Sequence, residues 1–123
     1  MPRLERRVLV VDDNRDSAHS LSTLLQTLGC EVAVAYDGEE ALRVGRAVRP
    51  DAVLLDLGMP RLNGFEACER MRGEPWGAAI CIVAVTGWGQ EEDRRRALEV
   101  GFTAHLVKPA DPGKLEALLA ALS

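Results

Sequence analysis

Five polar side chains of this 123-residue sequence each end or directly follow an apolar run. They are three carboxylates, one hydroxyl and one ammonium, namely Asp12, Asp13, Asp56, Thr86 and Lys108. Carboxylates hold divalent cations or act as nucleophiles, whereas an ammonium and a hydroxyl bind the oxygens of an anion. If the fold gathers these groups, we expect a site that binds a divalent cation.

Apolar runs alternate with amphipathic stretches five times along the chain, which predicts five strand–helix units. The predicted strands are residues 7–11, 31–35, 52–56, 80–85 and 104–107. The first of them is a continuous branched apolar run, typical of a strand that is buried on both faces. We therefore expect an α/β fold, with a parallel sheet covered by helices on both sides.

The helices between these strands are predicted from apolar spacing and from residues that cap or break helices. Gly29 stops the first helix, Asp37-Gly38 forms a turn, and Asn63 and Asp111 cap the third and fifth helices. A loop containing Gly73, Pro75 and Gly77 precedes the fourth strand. Residues 90–100 are charge-rich, which predicts a solvated fourth helix in which the arginine run 94–96 lies on an exposed face.

The order of strands and polar residues predicts one shared site. In doubly wound sheets the carboxyl ends of the strands form the binding crevice, so all five polar groups should meet at one edge. At ~4 Å and an effective dielectric of about 20, each carboxylate pair repels by roughly 4 kcal/mol, and Lys108 offsets only part of that. A divalent cation relieves this repulsion, and the oxygen-only ligands favour Mg²⁺ over zinc.

Composition limits the remaining classes of protein. Hydrophobic residues make up 47% and charged residues 28%, which is typical of one globular domain, here residues 1–123. The net charge of −4 argues against nucleic acid as a partner. The longest apolar run is eight residues (78–85), against about 20 for a membrane span, so no membrane association is expected. Three cysteines and no signal-peptide core favour a reducing, cytoplasmic location.

Four motifs at the ends of the predicted strands together resemble the response-regulator receiver domain of bacterial two-component signalling. They are Val8-Leu9-Val10-Val11-Asp12-Asp13-Asn14, Asp56-Leu57-Gly58-Met59-Pro60 with Gly64, Thr86-Gly87, and Lys108-Pro109. The resemblance covers essentially the whole chain. It implies a flavodoxin-like (βα)5 fold with the strand order 2-1-3-4-5, and a signalling domain rather than an enzyme.

The resemblance assigns the acidic residues. Asp56 matches the phosphoacceptor, the nucleophile that takes a phosphoryl group from a phosphohistidine. Asp13 matches the direct Mg²⁺ ligand, and Asp12 matches the acidic partner that reaches the ion mostly through water. The backbone carbonyl of Gly58 occupies the position that completes the coordination.

The remaining assignments concern phosphoryl binding and switching. Thr86 and Lys108 match the hydroxyl and the ammonium that bind phosphoryl oxygens. Thr86 and His105 would form the switch, with His105 in place of the usual strand-five aromatic; alternatively, His105 is simply exposed on an edge strand. The implied partners are a histidine kinase or histidine phosphotransfer protein, and a downstream protein on the surface of the fourth helix, fifth strand and fifth helix.

Three other functions are weighed against this interpretation. A flavodoxin-like cofactor binder would need a phosphate cradle after the first strand, where Asp12-Asp13 would repel a phosphate. A haloacid-dehalogenase-type phosphatase would need its nucleophile at the end of that strand and a second Asp two residues later. An unphosphorylated pseudo-receiver that serves only as an interaction module is the third, and the intact acidic set argues against it. Whether the chain acts alone or as part of a larger protein, such as a hybrid sensor kinase, stays open.

Overall fold

The computed structural model describes residues 6–57, 64–86, 91–107 and 111–121, with only the backbone at 91–94. The described residues form one five-stranded parallel sheet in the order β2-β1-β3-β4-β5. Its strands are β1 Arg7–Val11, β2 Glu31–Ala35, β3 Ala52–Asp56, β4 Cys81–Thr86 and β5 Ala104–Val107. The helices are α1 Arg15–Thr27, α2 Gly38–Val48, α3 Gly64–Arg72, α4 Glu91–Val100 and α5 Pro112–Ala120, and a short 3₁₀ helix spans Pro75–Gly77. The predicted α/β architecture and strand order are confirmed.

The sheet is buried on both faces because successive side chains of each strand point to opposite sides. In β1, Val8 and Val10 join one core with α1 and α5, whereas Leu9 and Val11 join a second core with α2, α3 and α4. This division explains why the strands are continuous apolar runs rather than alternating ones. Among the described residues, no helix is long and apolar enough to cross a membrane.

Three local features differ from the sequence prediction. The fourth strand begins at Cys81 and ends at Thr86, one residue later than expected. The predicted loop contains the 3₁₀ helix Pro75–Gly77. Asp37 does more than turn the chain: its carboxylate accepts a hydrogen bond from the Glu40 N–H at 2.7 Å and caps α2. The predicted cap Asn63 lies outside the described residues.

At the amino-terminal edge of the sheet, Arg72 joins four segments. Its Nη1 donates to the carbonyls of Gly77 at 3.0 Å and Ile80 at 2.6 Å. Nε and Nη2 donate to the Gly101 carbonyl at 3.0 and 2.8 Å, and Nη2 also donates to the Thr103 hydroxyl at 3.2 Å. All five N–H groups of a guanidinium therefore have partners. The end of α3, the 3₁₀ helix, the entry to β4 and the turn before β5 are held together by one side chain.

Candidate functional site

Three carboxylates meet at the carboxyl-terminal edge of the sheet. Asp12, Asp13 and Asp56 each place a carboxylate oxygen within 4.8 Å of the other two. Asp12 is 3% exposed, Asp56 is half-buried and Asp13 is open to solvent. Three negative charges at this spacing repel one another, and hard oxygen ligands suit a cation such as Mg²⁺. These side chains can therefore hold a divalent cation, with Asp13 giving access from solvent.

The local sequence holds these aspartates in place. The Asp12 N–H extends the pairing of β1 with β2 by donating to the Ala35 carbonyl at 3.1 Å. The carboxylate of Asp12 accepts the Asn14 N–H at 3.0 Å, and the Asn14 side chain in turn caps α1 through the Ser17 N–H at 3.0 Å. The β1–α1 connection is therefore short and hydrogen-bonded, which orients Asp12 and Asp13 toward the edge where β3 ends.

Asp56 is fixed by the backbone on both sides. It is the last residue of β3, and the following Leu57 N–H still donates to the Val85 carbonyl of β4 at 3.1 Å. The first residue of α3, Gly64, approaches this backbone closely. A Cβ at Gly64 would lie 2.5 Å from the Asp56 carbonyl oxygen and 2.7 Å from the Leu57 Cα, distances that side chains do not tolerate. Glycine at this position lets α3 begin directly against Asp56.

Thr86 and His105 lie on the same face of the sheet. In the parallel register, Ala84 pairs with His105 and Thr86 with Val107, so the four residues share the side that faces α4. Thr86 is 3% exposed. His105 is half-buried and its Nε2 is enclosed, although β5 is an edge strand. Thr86 and His105 are thus diagonal neighbours on adjacent strands.

Two of the expected site residues, Gly58 and Lys108, lie outside the described residues. Their assignments remain predictions. A further charge lies near the acidic edge, and no motif in the sequence indicates it: the guanidinium of Arg15, at the start of α1, stacks 4.1 Å above the ring of Tyr36, which follows β2. The two residues are 21 positions apart and follow no local pattern, so only the register of β1 with β2 could have indicated their contact.

None of the three cysteines contributes a nucleophile. Cys30, Cys68 and Cys81 are all free and buried. Burial raises the pKa of each thiol, to about 11 for Cys68. Thiolate is the reactive form, so these side chains are inert at neutral pH. The chemistry available at the site is that of carboxylate and hydroxyl oxygens.

A comparison with protein families matches residues 8–120 to the model described as the response regulator receiver domain. The chain belongs to this family. The transcriptional regulatory protein PrrA of Mycobacterium tuberculosis is 40% identical over 116 residues, covering 94% of this receiver domain and 49% of PrrA. The receiver domain spans about half the length of the curated transcriptional regulators that it matches.

Solved structures agree with the assignment. The chemotaxis protein CheY4 of Vibrio cholerae matches with a TM-score of 0.91 at 33% identity, covering 97% of this chain and 99% of CheY4. The receiver domain of the sensor histidine kinase PA1611 of Pseudomonas aeruginosa has a TM-score of 0.88 at 30% identity, covering 96% and 97%, and its structure holds a magnesium ion in the active site cleft. As a receiver domain of two-component signalling, this chain is a signalling domain rather than a conventional enzyme.

Proposed function

We propose that this receiver domain accepts a phosphoryl group on Asp56 from the phosphohistidine of a histidine kinase or histidine phosphotransfer protein. The observation that carries the proposal is the cluster of three carboxylates within 4.8 Å at the end of β3. Three carboxylates at this spacing repel one another, and a bound cation offsets that cost, so the cluster is best explained as a cation-dependent site. An interaction module that is never phosphorylated would gain nothing from holding three mutually repelling carboxylates together.

In the proposed step a carboxylate oxygen of Asp56 attacks phosphorus in line with the leaving imidazole nitrogen. A P–O bond forms, the P–N bond breaks, and its electron pair returns to the imidazole. The product is an acyl phosphate on Asp56 and an unphosphorylated histidine. The protein's task is mainly to position the nucleophile and to neutralise the phosphoryl oxygens, and Thr86 and Lys108 are proposed to bind those oxygens.

Asp12, Asp13 and Asp56 would hold Mg²⁺, together with the backbone carbonyl of Gly58. When bound, the ion supplies positive charge that offsets both the carboxylate repulsion and the charge on the phosphoryl oxygens. The magnesium in the receiver domain of PA1611 supports this choice of ion. Asp13 is the most exposed of the three carboxylates, so we propose it as the direct ligand through which the ion enters.

Phosphorylation by acetyl phosphate, followed by intact mass spectrometry, tests the proposal. We expect one phosphoryl group per chain with Mg²⁺ and none after Mg²⁺ is chelated. Asp56→Asn should remain unmodified, and Asp13→Ala should lose the response to Mg²⁺. Asp51→Asn is the matched control, because Asp51 precedes the opposite end of β3 and is exposed. Modification of Asp56→Asn at the wild-type rate would refute the assignment, and an unmodified wild type would favour the pseudo-receiver.

We also propose that phosphorylation changes partner binding on the surface formed by α4, β5 and α5. Two large apolar side chains stand out there: Leu98 is 68% exposed and Val107 is 41% exposed. Leu98 and His105 both line a depression of about 320 Å³ on this surface. His105 shares its sheet face with Thr86, so a shift of Thr86 toward a phosphoryl group would change the packing around His105 and therefore the shape of the depression.

NMR of the His105 ring tests this second step. We expect its shifts and its titration to change when beryllofluoride, a phosphoryl mimic, is added with Mg²⁺. The change should be absent in Thr86→Ala if Thr86 transmits it. Identical His105 spectra with and without the mimic, measured while Mg²⁺ binding is intact, would exclude a switch through His105 but not the phosphorylation of Asp56.

A further inference from the structure

At the amino-terminal edge of the sheet, opposite the edge that carries the acidic residues, a depression of about 340 Å³ lies between the end of α2 and the 3₁₀ helix. We call it the α2 groove, and it is lined by Arg46, Arg49, Glu74, Pro75 and Trp76. Tryptophan and arginine are the residue types most enriched where proteins bind one another tightly. The groove therefore has the composition of a binding surface.

The aromatic wall of the α2 groove is rigid. The six-membered ring of Trp76 packs against α2 at Gly45, where an added Cβ would collide with Cη2, and would lie 2.5 Å from Cζ2 and 2.8 Å from Cζ3. The indole Nε1 is enclosed and has no hydrogen-bond acceptor among the described residues. Packing alone thus holds the ring, which loses little conformational entropy when a ligand binds to it.

The available charge in the α2 groove is positive. Arg46 is neutralised by Glu74, with 2.6 Å between Nη2 and Oε1. The side chain of Arg49 is exposed and forms no hydrogen bond or ion pair with any residue that the structure describes. Arg49 also borders a second depression of about 300 Å³, where Arg7 pairs with Glu31 at 3.2 Å. In a chain of net charge −4, Arg49 therefore offers an anion a free guanidinium between two concavities.

The backbone of Arg49 adds an independent observation. Arg49 ends α2 in the left-handed conformation, with φ 49° and ψ 71°. Among the residues that the structure describes, no other non-glycine residue has a positive φ. Glycine is the usual residue at such a helix end, and the following Pro50 restricts Arg49 further. Arginine is strained at this position, where glycine would not be, which suggests that the arginine side chain has a functional role.

We propose that the α2 groove binds an acidic peptide segment of a protein partner, at a site separate from phosphoryl transfer. A carboxylate of the segment would accept two parallel N–H···O hydrogen bonds from the Arg49 guanidinium, and an adjacent apolar side chain would pack on Trp76 and Pro75. Nucleic acid is a poorer fit, because binding a phosphate backbone requires several unpaired cations. The partner is identified by this charge and shape complementarity.

Two NMR signals, the Trp76 indole N–H and the Arg49 Nε–H, report on the groove. The probe is the capped hexapeptide Ser-Glu-Leu-Glu-Leu-Ser, and its control carries Gln in place of both Glu residues. We expect saturable shifts of both signals with the acidic peptide, and binding about ten-fold weaker with the Gln peptide, as for loss of one charge-assisted hydrogen-bonded pair. Similar shifts with the two peptides would overturn the proposal.

Substitutions separate binding from folding. Arg49→Gln and Arg49→Gly should both lose affinity about ten-fold, while Arg49→Gly should also raise the thermal midpoint by relieving the left-handed backbone. Arg43→Gln is the matched control, because Arg43 is an exposed arginine of α2 that does not line the groove, and it should bind as the wild type does. Equal losses in Arg43→Gln and Arg49→Gln would contradict the proposal. So would full competition by inorganic phosphate at equal concentration, or tighter binding of single-stranded DNA.

Discussion

Replacing Arg72 by methionine should strongly destabilise the receiver domain without touching its acidic site. Methionine keeps much of the aliphatic stem but removes the guanidinium. The carbonyls of Gly77, Ile80 and Gly101 then lose a charged donor, as does the Thr103 hydroxyl. Hydrogen bonds to a charged group contribute at least about 1.5 kcal/mol each, so four fully buried acceptors would correspond to about 6 kcal/mol.

Arg72 is only half-buried, so water replaces part of this loss. We therefore expect Arg72→Met to lower the free energy of unfolding by about 3 kcal/mol. Arg72→Lys should recover less than half of that, because one ammonium cannot reach acceptors on both sides of the guanidinium fork at once.

Urea unfolding, followed by far-UV circular dichroism and by tryptophan fluorescence, measures the effect. Arg70→Met is the matched control, since Arg70 is an exposed arginine on the same helix and its side chain makes no hydrogen bond or ion pair with the described residues. A loss below about 1 kcal/mol in Arg72→Met, or an equal loss in Arg70→Met, would show that the guanidinium does not join these segments.

Three further predictions concern single side chains. Gly64→Ala should lower the free energy of unfolding by about 1–3 kcal/mol and weaken Mg²⁺ binding, since the new Cβ collides with the Asp56 carbonyl. Gly113→Ala is the contrasting change, because its Cβ would have its nearest contact at 3.5 Å. It should raise the free energy of unfolding by about 0.5–1 kcal/mol in the same urea assay. Ser22→Ala should raise the thermal midpoint, because the enclosed Ser22 hydroxyl has no partner among the described residues and alanine favours the helix. Burial raises the pKa of Cys68 from 9.0 to about 11, so the folded state keeps the thiol proton up to a higher pH than the unfolded state does. Relative to Cys68→Ala, the stability of the wild type should therefore be constant below pH 9.0 and fall by about 2 kcal/mol toward pH 11. A wild type and a Cys68→Ala variant with parallel stability curves over that range would contradict the last prediction.

The sequence predicted the parts of the fold that depend on local pattern. The bounds of β1, β2, β3 and β5 agree with the continuous apolar runs, and Asp111 caps α5 as expected. Because Ile80 continues the apolar run, the sequence predicts the start of β4 one residue too early. In the structure the Ile80 carbonyl accepts from Arg72 instead of a neighbouring strand. That contact is tertiary, so no property of the run itself could reveal it.

At the candidate site, too, the features that follow from local sequence pattern could be predicted, whereas those that depend on tertiary contacts could not. Asp12, Asp13 and Asp56 could be grouped from the sequence because parallel strands bring their carboxyl ends to one edge. The contacts of Arg72 with Gly101 and Thr103 could not be predicted, since these residues lie 29 and 31 positions away along the chain with no repeating signal. The packing of Trp76 on Gly45 is equally long-range. The pairing of Arg15 with Tyr36, 21 positions apart, also follows no local pattern.

The burial of all three thiols has a kinetic consequence. A thiol reagent can reach each cysteine only when the surrounding structure opens, so its labelling rate measures the free energy of that local opening. Cys30 lies between α1 and β2, Cys68 on α3 and Cys81 at the entry to β4. The unmodified chain therefore carries three thiols whose labelling rates report local opening. Comparing these rates with and without a phosphoryl mimic bound at Asp56 would show which layers of the molecule open more readily in the mimic-bound state.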